Sequence, residues 1–145
     1  MKIGFASDHR GYKLKNELMD YFKDKYDLID VGTYSTESCD YPDYAKSLGD
    51  KILNKEVDFG VAICGSGIGI SIACNKIKGI YCAKVSSAKE AEYTRNDNNT
   101  NVIAFGETMD LSEAKKAVET FINTPYSNLE KHNRRINKVK ELENA

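Results

Sequence analysis

Residues 63–71, ICGSGIGIS, place one reactive side chain directly before three glycines at alternate positions. Cys64 ends an apolar run, and Gly65, Gly67 and Gly69 follow it. Glycines keep Cβ atoms out of a turn, so amide N–H groups there and at the start of the next helix can face a bound oxygen. Cysteine thiols ionise at about pH 8.5, and a helix N-terminus raises the thiolate fraction. The pattern predicts an oxyanion or phosphate site in which Cys64 is a nucleophile or a base.

The glycine loop does not match either common nucleotide-binding motif. A dinucleotide fingerprint would put its third glycine where Ile70 stands, and a P-loop would need a lysine followed by serine or threonine. A tight strand-to-helix turn without any ligand is the remaining structural interpretation of the glycines.

A second polar set, Asp8 and His9, follows the first apolar run of the chain. In open parallel sheets, ligands bind beyond the carboxyl ends of the strands. This rule predicts that Asp8 and His9 share one edge of the sheet with Cys64. The other histidine, His132, lies among cationic residues of the C-terminal segment and is equally consistent with a surface residue.

Short apolar runs alternate with amphipathic segments along the whole chain, which predicts an α/β protein. We expect a three-layer, doubly wound, Rossmann-like fold with a five-stranded parallel sheet and a C-terminal helix extension. The predicted strands cover residues 3–6, 28–31, 59–64, 80–85 and 102–105. Helix starts are predicted at Ser87 and Asp110, and residues 126–145 are predicted to form a helix. This helix extension either packs on its own domain, reaches a partner subunit or presents a solvated charged face.

The length of 145 residues suits one domain spanning residues 1–145, and the net charge of −1 gives no general attraction to nucleic acid or anionic membranes. No stretch approaches the roughly 18 apolar residues of a membrane helix, and no apolar leader is visible. The four cysteines form no C-x-x-C pair, which argues against zinc and a disulfide framework. We expect a cytoplasmic protein with reduced thiols.

Five blocks of the sequence resemble the type B ribose-5-phosphate isomerase family, which includes galactose- and allose-6-phosphate isomerases. The blocks are SDHRGYKLK, DVGTYS, DYPDYA, ICGSGIGISIACNKIKGI and NNTNVIAFG, in the family's order and spacing, and the resemblance extends over nearly the whole chain. The resemblance implies an aldose–ketose isomerase without metal or organic cofactor. It also implies a dimer or dimer of dimers whose active sites are shared between subunits.

The resemblance assigns roles around the cysteine. Cys64 matches the base that moves a proton between C1 and C2 of the open-chain sugar through a cis-enediolate. Ser66, where the family usually has threonine, matches the residue that handles protons on the sugar oxygens. Amides around the loop would stabilise the enediolate oxygen, and three further side chains would hold or line the substrate. The amides belong to Gly65, Gly67, Gly69 and Ile70, and the side chains to Asp8, Tyr41 and Asn98.

For the substrate phosphate, the family uses a histidine and two basic residues of the C-terminal helix. The matching positions are His9, Lys131 and Arg135, with Arg134 as the alternative to Arg135. Lysine holds a phosphate as a point charge, whereas arginine can grip it with two N–H groups.

The largest departure from the family is Asp97, which stands where these enzymes usually carry the histidine that opens the sugar ring. Aspartate side chains ionise at about pH 4, so a carboxylate here is a possible base but a poor acid. Three explanations remain open: Asp97 opens the ring in an environment that changes its ionisation, another group or water does so, or the preferred substrate differs.

The leading hypothesis is the interconversion of ribose 5-phosphate and ribulose 5-phosphate, a reaction of the pentose phosphate pathway. The same chemistry on allose or galactose 6-phosphate is a near alternative. A non-catalytic receiver or flavodoxin-like module is the alternative from another class. A receiver would need an aspartate where Cys64 stands, and a flavodoxin-like domain would need a Ser/Thr-rich loop in place of Asp8 and His9.

Overall fold

The computed structural model describes residues 1–144 and contains one parallel sheet with helices around it. The strands are β1 (Lys2–Ser7), β2 (Asp27–Gly32), β3 (Phe59–Cys64), β4 (Cys82–Lys84) and β5 (Val102–Gly106). The helices are α1 (Tyr12–Phe22), α2 (Tyr41–Leu53), α3 (Ile68–Asn75), α4 (Ala88–Tyr93), α5 (Leu111–Asn123) and α6 (Glu130–Leu142), and a π-helical turn spans Thr94–Asn98. The strand order is β2-β1-β3-β5-β4.

Helices cover both faces of the sheet, which confirms the predicted three-layer, doubly wound fold. Helices α1, α4 and α5 pack on one face, around a core that includes Phe5, Phe105 and Phe121. Helices α2 and α3 pack on the other face, around Leu48 and Ile70. Strands buried on both faces read as continuous apolar runs, which is why the sequence reveals them.

Two predicted segments are shorter in the structure. The fourth strand was expected at residues 80–85, but β4 spans only Cys82–Lys84, because the Ile80 N–H closes a turn on the Ile77 carbonyl. Helix α6 begins at Glu130 rather than at residue 126. Asn128 adopts a left-handed conformation with φ of 57°, so the helix cannot extend back through it.

Side-chain caps define the starts of α4 and α5, as predicted. The Ser87 hydroxyl accepts the Glu90 N–H, and the Asp110 carboxylate accepts the Glu113 N–H. Each satisfies one of the amide groups that a helix N-terminus leaves without a partner.

Helix α6 lies along the amino-terminal edge of the sheet. Its first turns contact the π-helical turn that precedes β5. At its other end, the Glu143 carboxylate accepts hydrogen bonds from the Tyr81 hydroxyl (2.6 Å) and the Gly79 N–H (3.3 Å), just before β4. Burial, followed by the bond to Glu143, raises the pKa of Tyr81 to about 12, so its phenol remains a hydrogen-bond donor at neutral pH. No helix within residues 1–144 is long and apolar enough to cross a membrane.

Lys15 of α1 is a fully buried cation beneath the loop that follows β2. Its ammonium group donates to the Thr33 carbonyl at 2.6 Å and forms an ion pair with Asp30. A buried charge is costly unless it is paired and hydrogen-bonded, so this contact couples the loop to α1.

Replacing Lys15 with methionine removes the partner of Asp30 while keeping an apolar stem. We expect Lys15→Met to lower the free energy of unfolding by about 2 to 3 kcal/mol, because the carboxylate and the carbonyl lose their buried donor. Urea denaturation measures the loss. The control is Lys13→Met at an exposed position of the same helix, which should change stability by less than about 0.5 kcal/mol. Equal stability of the two variants would contradict this role of Lys15.

Candidate active site

The strand order creates a switch point between β1 and β3. The connection that follows β1 and the one that follows β3 leave for opposite faces of the sheet. Ser7 of β1 is in register with Ile63 of β3, and the Asp8 N–H donates to the Ile63 carbonyl at 3.2 Å. Asp8 and Cys64 therefore lie side by side at the carboxyl edge, as the sequence predicts.

Cys64 lies in a turn whose backbone contacts its sulfur. The Gly67 N–H donates to Sγ at 3.2 Å, and the side chain is almost fully buried. A hydrogen-bond donor aimed at the sulfur stabilises negative charge there. Gly67 has φ of +79°, and a Cβ atom on it would lie 2.5 Å from the carbonyl carbon of Phe105 in β5. Only glycine fits this position without moving the backbone.

The N-terminus of α3 supplies the remaining donors of the turn. The Ile68 N–H is taken by the Ser66 hydroxyl at 3.1 Å, and the first bond of the helix ladder runs from the Ser71 N–H to the Gly67 carbonyl. The N–H groups of Gly69 and Ile70 therefore have no partner in the helix ladder, as in the first turn of any helix. They form a cradle for an oxyanion beside the sulfur.

These groups line one open cleft of about 450 Å³. Tyr41, at the start of α2, forms a wall against which Gly69 fits: a Cβ atom on Gly69 would lie 2.6 Å from the tyrosine ring. Arg10, which follows His9 at the end of β1, also lines the cleft and forms an ion pair with Glu107 at 2.8 Å. The lining residues are Asp8, Arg10, Tyr41, Cys64, Gly65, Ser66, Ile68 and Gly69.

The Asp8 carboxylate is held in a fixed orientation at the floor of this cleft. Its Oδ1 accepts the backbone N–H groups of Arg10 and Gly11, both at 3.0 Å. Within residues 1–144, Oδ2 has no hydrogen-bond donor. An ionised carboxylate with one free oxygen suits a sugar hydroxyl.

His9 stands next to the cleft and presents one defined ring nitrogen. Its Nδ1 accepts the Cys39 N–H at 3.2 Å, so the neutral ring carries its proton on Nε2. A donor N–H directed away from the loop is compatible with the predicted phosphate contact.

The other predicted site residues lie at the opposite edge of the sheet. Asp97 and Asn98 belong to the π-helical turn, four to five residues before the start of β5, whereas Gly106 at the end of β5 pairs with Cys64. The length of β5 alone separates the two edges by about 13 Å. One chain therefore does not bring Asp97 and Asn98 to Cys64.

The π-helical turn is fixed by a buried arginine. The Arg95 guanidinium donates to the Thr100 carbonyl at 2.7 Å and to the Asn99 side chain at 2.9 Å. It also stacks against the rings of Phe59 and Phe121, and burial lowers its pKa. Arg95 thereby sets the position of Asp97 two residues further on.

His132 is the functional candidate that sequence reasoning missed. Its side chain is only 11% exposed, and its Nε2 lies 3.7 Å from Oδ1 of Asp97. Its Nδ1 is 2.6 Å from the Ser127 hydroxyl. The sequence shows only a histidine in a cationic helix, because the pairing depends on how α6 packs on the π-helical turn.

The basic residues of α6 differ in whether they form ion pairs. Arg134 is paired with Glu130 at 2.8 Å along the helix. Within residues 1–144, Lys131 and Arg135 form no ion pair, and both are exposed. Arg135 is therefore better placed than Arg134 to meet a phosphate.

Comparison with known proteins agrees with this architecture. The model of the ribose/galactose isomerase family matches residues 3–139. Ribose-5-phosphate isomerase B of Escherichia coli is 38% identical over 98% of this chain and 96% of the relative. The structure of ribose-5-phosphate isomerase B from Clostridium thermocellum superimposes with a TM-score of 0.96 at 40% identity, covering 99% of this chain and 98% of that one.

A third similar structure, ribose-5-phosphate isomerase B of Mycoplasma genitalium, was solved with bound ribulose 5-phosphate. It is 36% identical with a TM-score of 0.91, covering 99% of this chain and 96% of that one. The chain belongs to the ribose/galactose isomerase family. Membership excludes the receiver and flavodoxin-like alternatives.

The turn at Gly67 provides a test of the cradle geometry. We expect Gly67→Ala to lower the free energy of unfolding by about 2 to 4 kcal/mol. Alanine would be strained by the left-handed backbone, and its Cβ would be too close to Phe105. Chemical denaturation measures the change.

Gly65→Ala is the matched control, since it lies in the same turn and the nearest atoms to its Cβ would be those at the end of the Arg10 side chain. It should cost less than about 1 kcal/mol, because a flexible exposed side chain can move aside. If both substitutions cost the same, the turn does not impose the conformation described.

Proposed function

We propose that the protein interconverts ribose 5-phosphate and ribulose 5-phosphate through a cis-enediolate. The observation that carries the proposal is the thiol of Cys64, which lies in the cleft beside the free N–H groups of Gly69 and Ile70. The bound ribulose 5-phosphate of the M. genitalium relative supports this substrate. We include in the proposal a cytoplasmic location and a role in the pentose phosphate pathway.

The proposed chemistry follows from the groups in the cleft. Cys64, as a thiolate, removes the proton from C2 of the open-chain aldose, and the electrons of that bond form the C1–C2 double bond. The negative charge that develops on O1 is stabilised by the amides at the start of α3. Ser66 moves a hydroxyl proton between O1 and O2, and Cys64 returns its proton to C1. Asp8 holds hydroxyl groups of the sugar.

We propose that two chains build each site, with Asp97, Asn98, Lys131 and Arg135 donated by a second copy. The separation of the two sheet edges supports this arrangement, since these residues need to approach a Cys64 that their own chain keeps away. An exposed apolar surface beside the cleft supports it as well. Ile68 and Ile72, one turn apart on α3, are both more than half exposed.

Deuterium exchange tests the reaction. In D₂O, the protein should convert ribose 5-phosphate and place deuterium at C1 of the ketose and at C2 of the aldose that re-forms, as followed by NMR, with allose 6-phosphate and galactose 6-phosphate tested as alternative substrates. We expect Cys64→Ala to lower conversion and exchange by about a thousandfold or more, because the carbon acid loses its base. Phosphate binding, measured by titration, should remain.

The control is Cys74→Ala, which removes a buried thiol in α3 that does not line the cleft. It should retain activity. The proposal fails if the unmodified protein converts none of the three sugars, and a preference for a hexose phosphate would redirect it to that substrate.

Mixing two impaired variants tests the shared site. On ribose 5-phosphate alone, Cys64→Ala should be inactive and Asp97→Asn about a hundredfold slower than the unmodified protein. Chains refolded together should recover about a quarter of the wild-type activity, because half of the random dimers carry one intact site of two. Mixing Cys64→Ala with Cys64→Ser should recover none. Absence of recovery in the first mixture would mean that the residues act within one chain.

A further inference from the structure

We propose that Asp97 and His132 together open the sugar ring, with Asp97 as the base and His132 as the acid. The inference rests on the proposed function, because it concerns the cyclic form of the same substrate. It gives a role to a histidine that the isomerisation steps at Cys64 leave unused.

The two side chains form a pair that is close but not bonded. Oδ1 of Asp97 and Nε2 of His132 are 3.7 Å apart, beyond normal hydrogen-bond length, so neither group consumes the other's proton or lone pair. Asp97 accepts instead from the Asn96 side chain at 2.7 Å, through the same oxygen. An acceptor and a donor at this spacing can meet two oxygen atoms that share one carbon, as the anomeric hydroxyl and the ring oxygen do.

The orientation of the imidazole follows from Ser127. The Ser127 hydroxyl oxygen accepts the Leu129 N–H and lies 2.6 Å from Nδ1 of His132. The hydroxyl can donate to Nδ1 of the neutral ring or accept from Nδ1–H of the charged ring. Both states keep a proton on Nε2, the nitrogen that faces Asp97. The backbone of Ser127 is fixed in turn by its N–H bond to the Asn96 carbonyl.

Asp97, one member of the pair, is accessible to a small molecule. Asp97 keeps 44% of its side chain exposed, and it borders an open cleft of about 490 Å³ that Tyr93, Asn123 and Pro125 also line. His132 lies deeper, at 11% exposure. The carboxylate is thus the outer group and the imidazole the inner one.

The ring-opening step balances with these two groups. The anomeric hydroxyl gives its proton to the Asp97 carboxylate, and the electrons of that O–H bond form the C1 carbonyl. The bond between C1 and the ring oxygen breaks, and the ring oxygen takes the proton of charged His132 from Nε2. Transfer of the proton from Asp97 to His132 restores the pair. Imidazole suits this task because it exchanges protons near neutral pH, whereas an isolated carboxylate is a poor acid there.

A comparison of two substrates isolates the step. Ribulose 5-phosphate has no furanose ring, because the hydroxyl that would close it carries the phosphate. Its C1 hydrogens exchange with D₂O through the enediolate without ring opening. We expect Asp97→Asn and His132→Asn to slow conversion of ribose 5-phosphate about a hundredfold. Exchange at C1 of ribulose 5-phosphate should stay within about threefold of wild type, since no ring barrier is involved.

The double variant tests whether the residues act as one unit. It should be no slower than the slower single variant, because each substitution already disables the pair. Asn137→Ala, at an exposed position of α6, is the control and should leave both rates unchanged.

C1 exchange also reports on folding and assembly, since it needs an intact Cys64 site. The inference is overturned if both rates fall together, if neither falls, or if the two substitutions multiply. Failure of the unmodified protein on ribose 5-phosphate would instead remove the proposed function.

Discussion

All strands of a parallel sheet point the same way, so the residues that end one strand and those that precede its neighbour lie at opposite edges. In this chain, Cys64 and Gly106 mark the carboxyl edge, while the π-helical turn and α6 occupy the amino edge. The proposed functional residues therefore fall into two separate sets, and the proposed site is complete only where two chains meet.

The two sets are built by different means. The cradle at Cys64 is mainly backbone: its geometry depends on the left-handed Gly67 and on the close approach of β5. The set at the amino edge depends on side chains, with Arg95 fixing the turn and Ser127 orienting His132. Backbone groups hold charge at a fixed position, whereas side chains can take up and release protons. This division matches the proposed stabilisation of an enediolate at one edge and the proposed proton exchange at the other.

The local pattern of residues in the sequence was sufficient to predict the sheet and the turn that follows Cys64. Strands buried on both faces are apolar runs, and glycines at alternate positions after Cys64 can be read without knowing the fold. The pairing of His132 with Asp97 could not be read, because it joins residues 35 positions apart through the packing of one helix on an irregular turn. The late start of α6 was equally hidden, since it depends on the backbone of Asn128 and on the contact of Ser127 with the turn.

The backbone character of the cradle also bears on how such a protein can change over evolution. A substitution other than to proline alters a side chain but leaves the amide donor in place, and at Gly67 even a single added carbon meets the main chain of Phe105. The part of the site that handles the developing charge is thus nearly closed to variation. On the proposed function, new sugar specificities have to arise around it, from walls such as Tyr41 and Ser66 and from the residues that a second chain is proposed to bring, while the reaction itself is inherited unchanged.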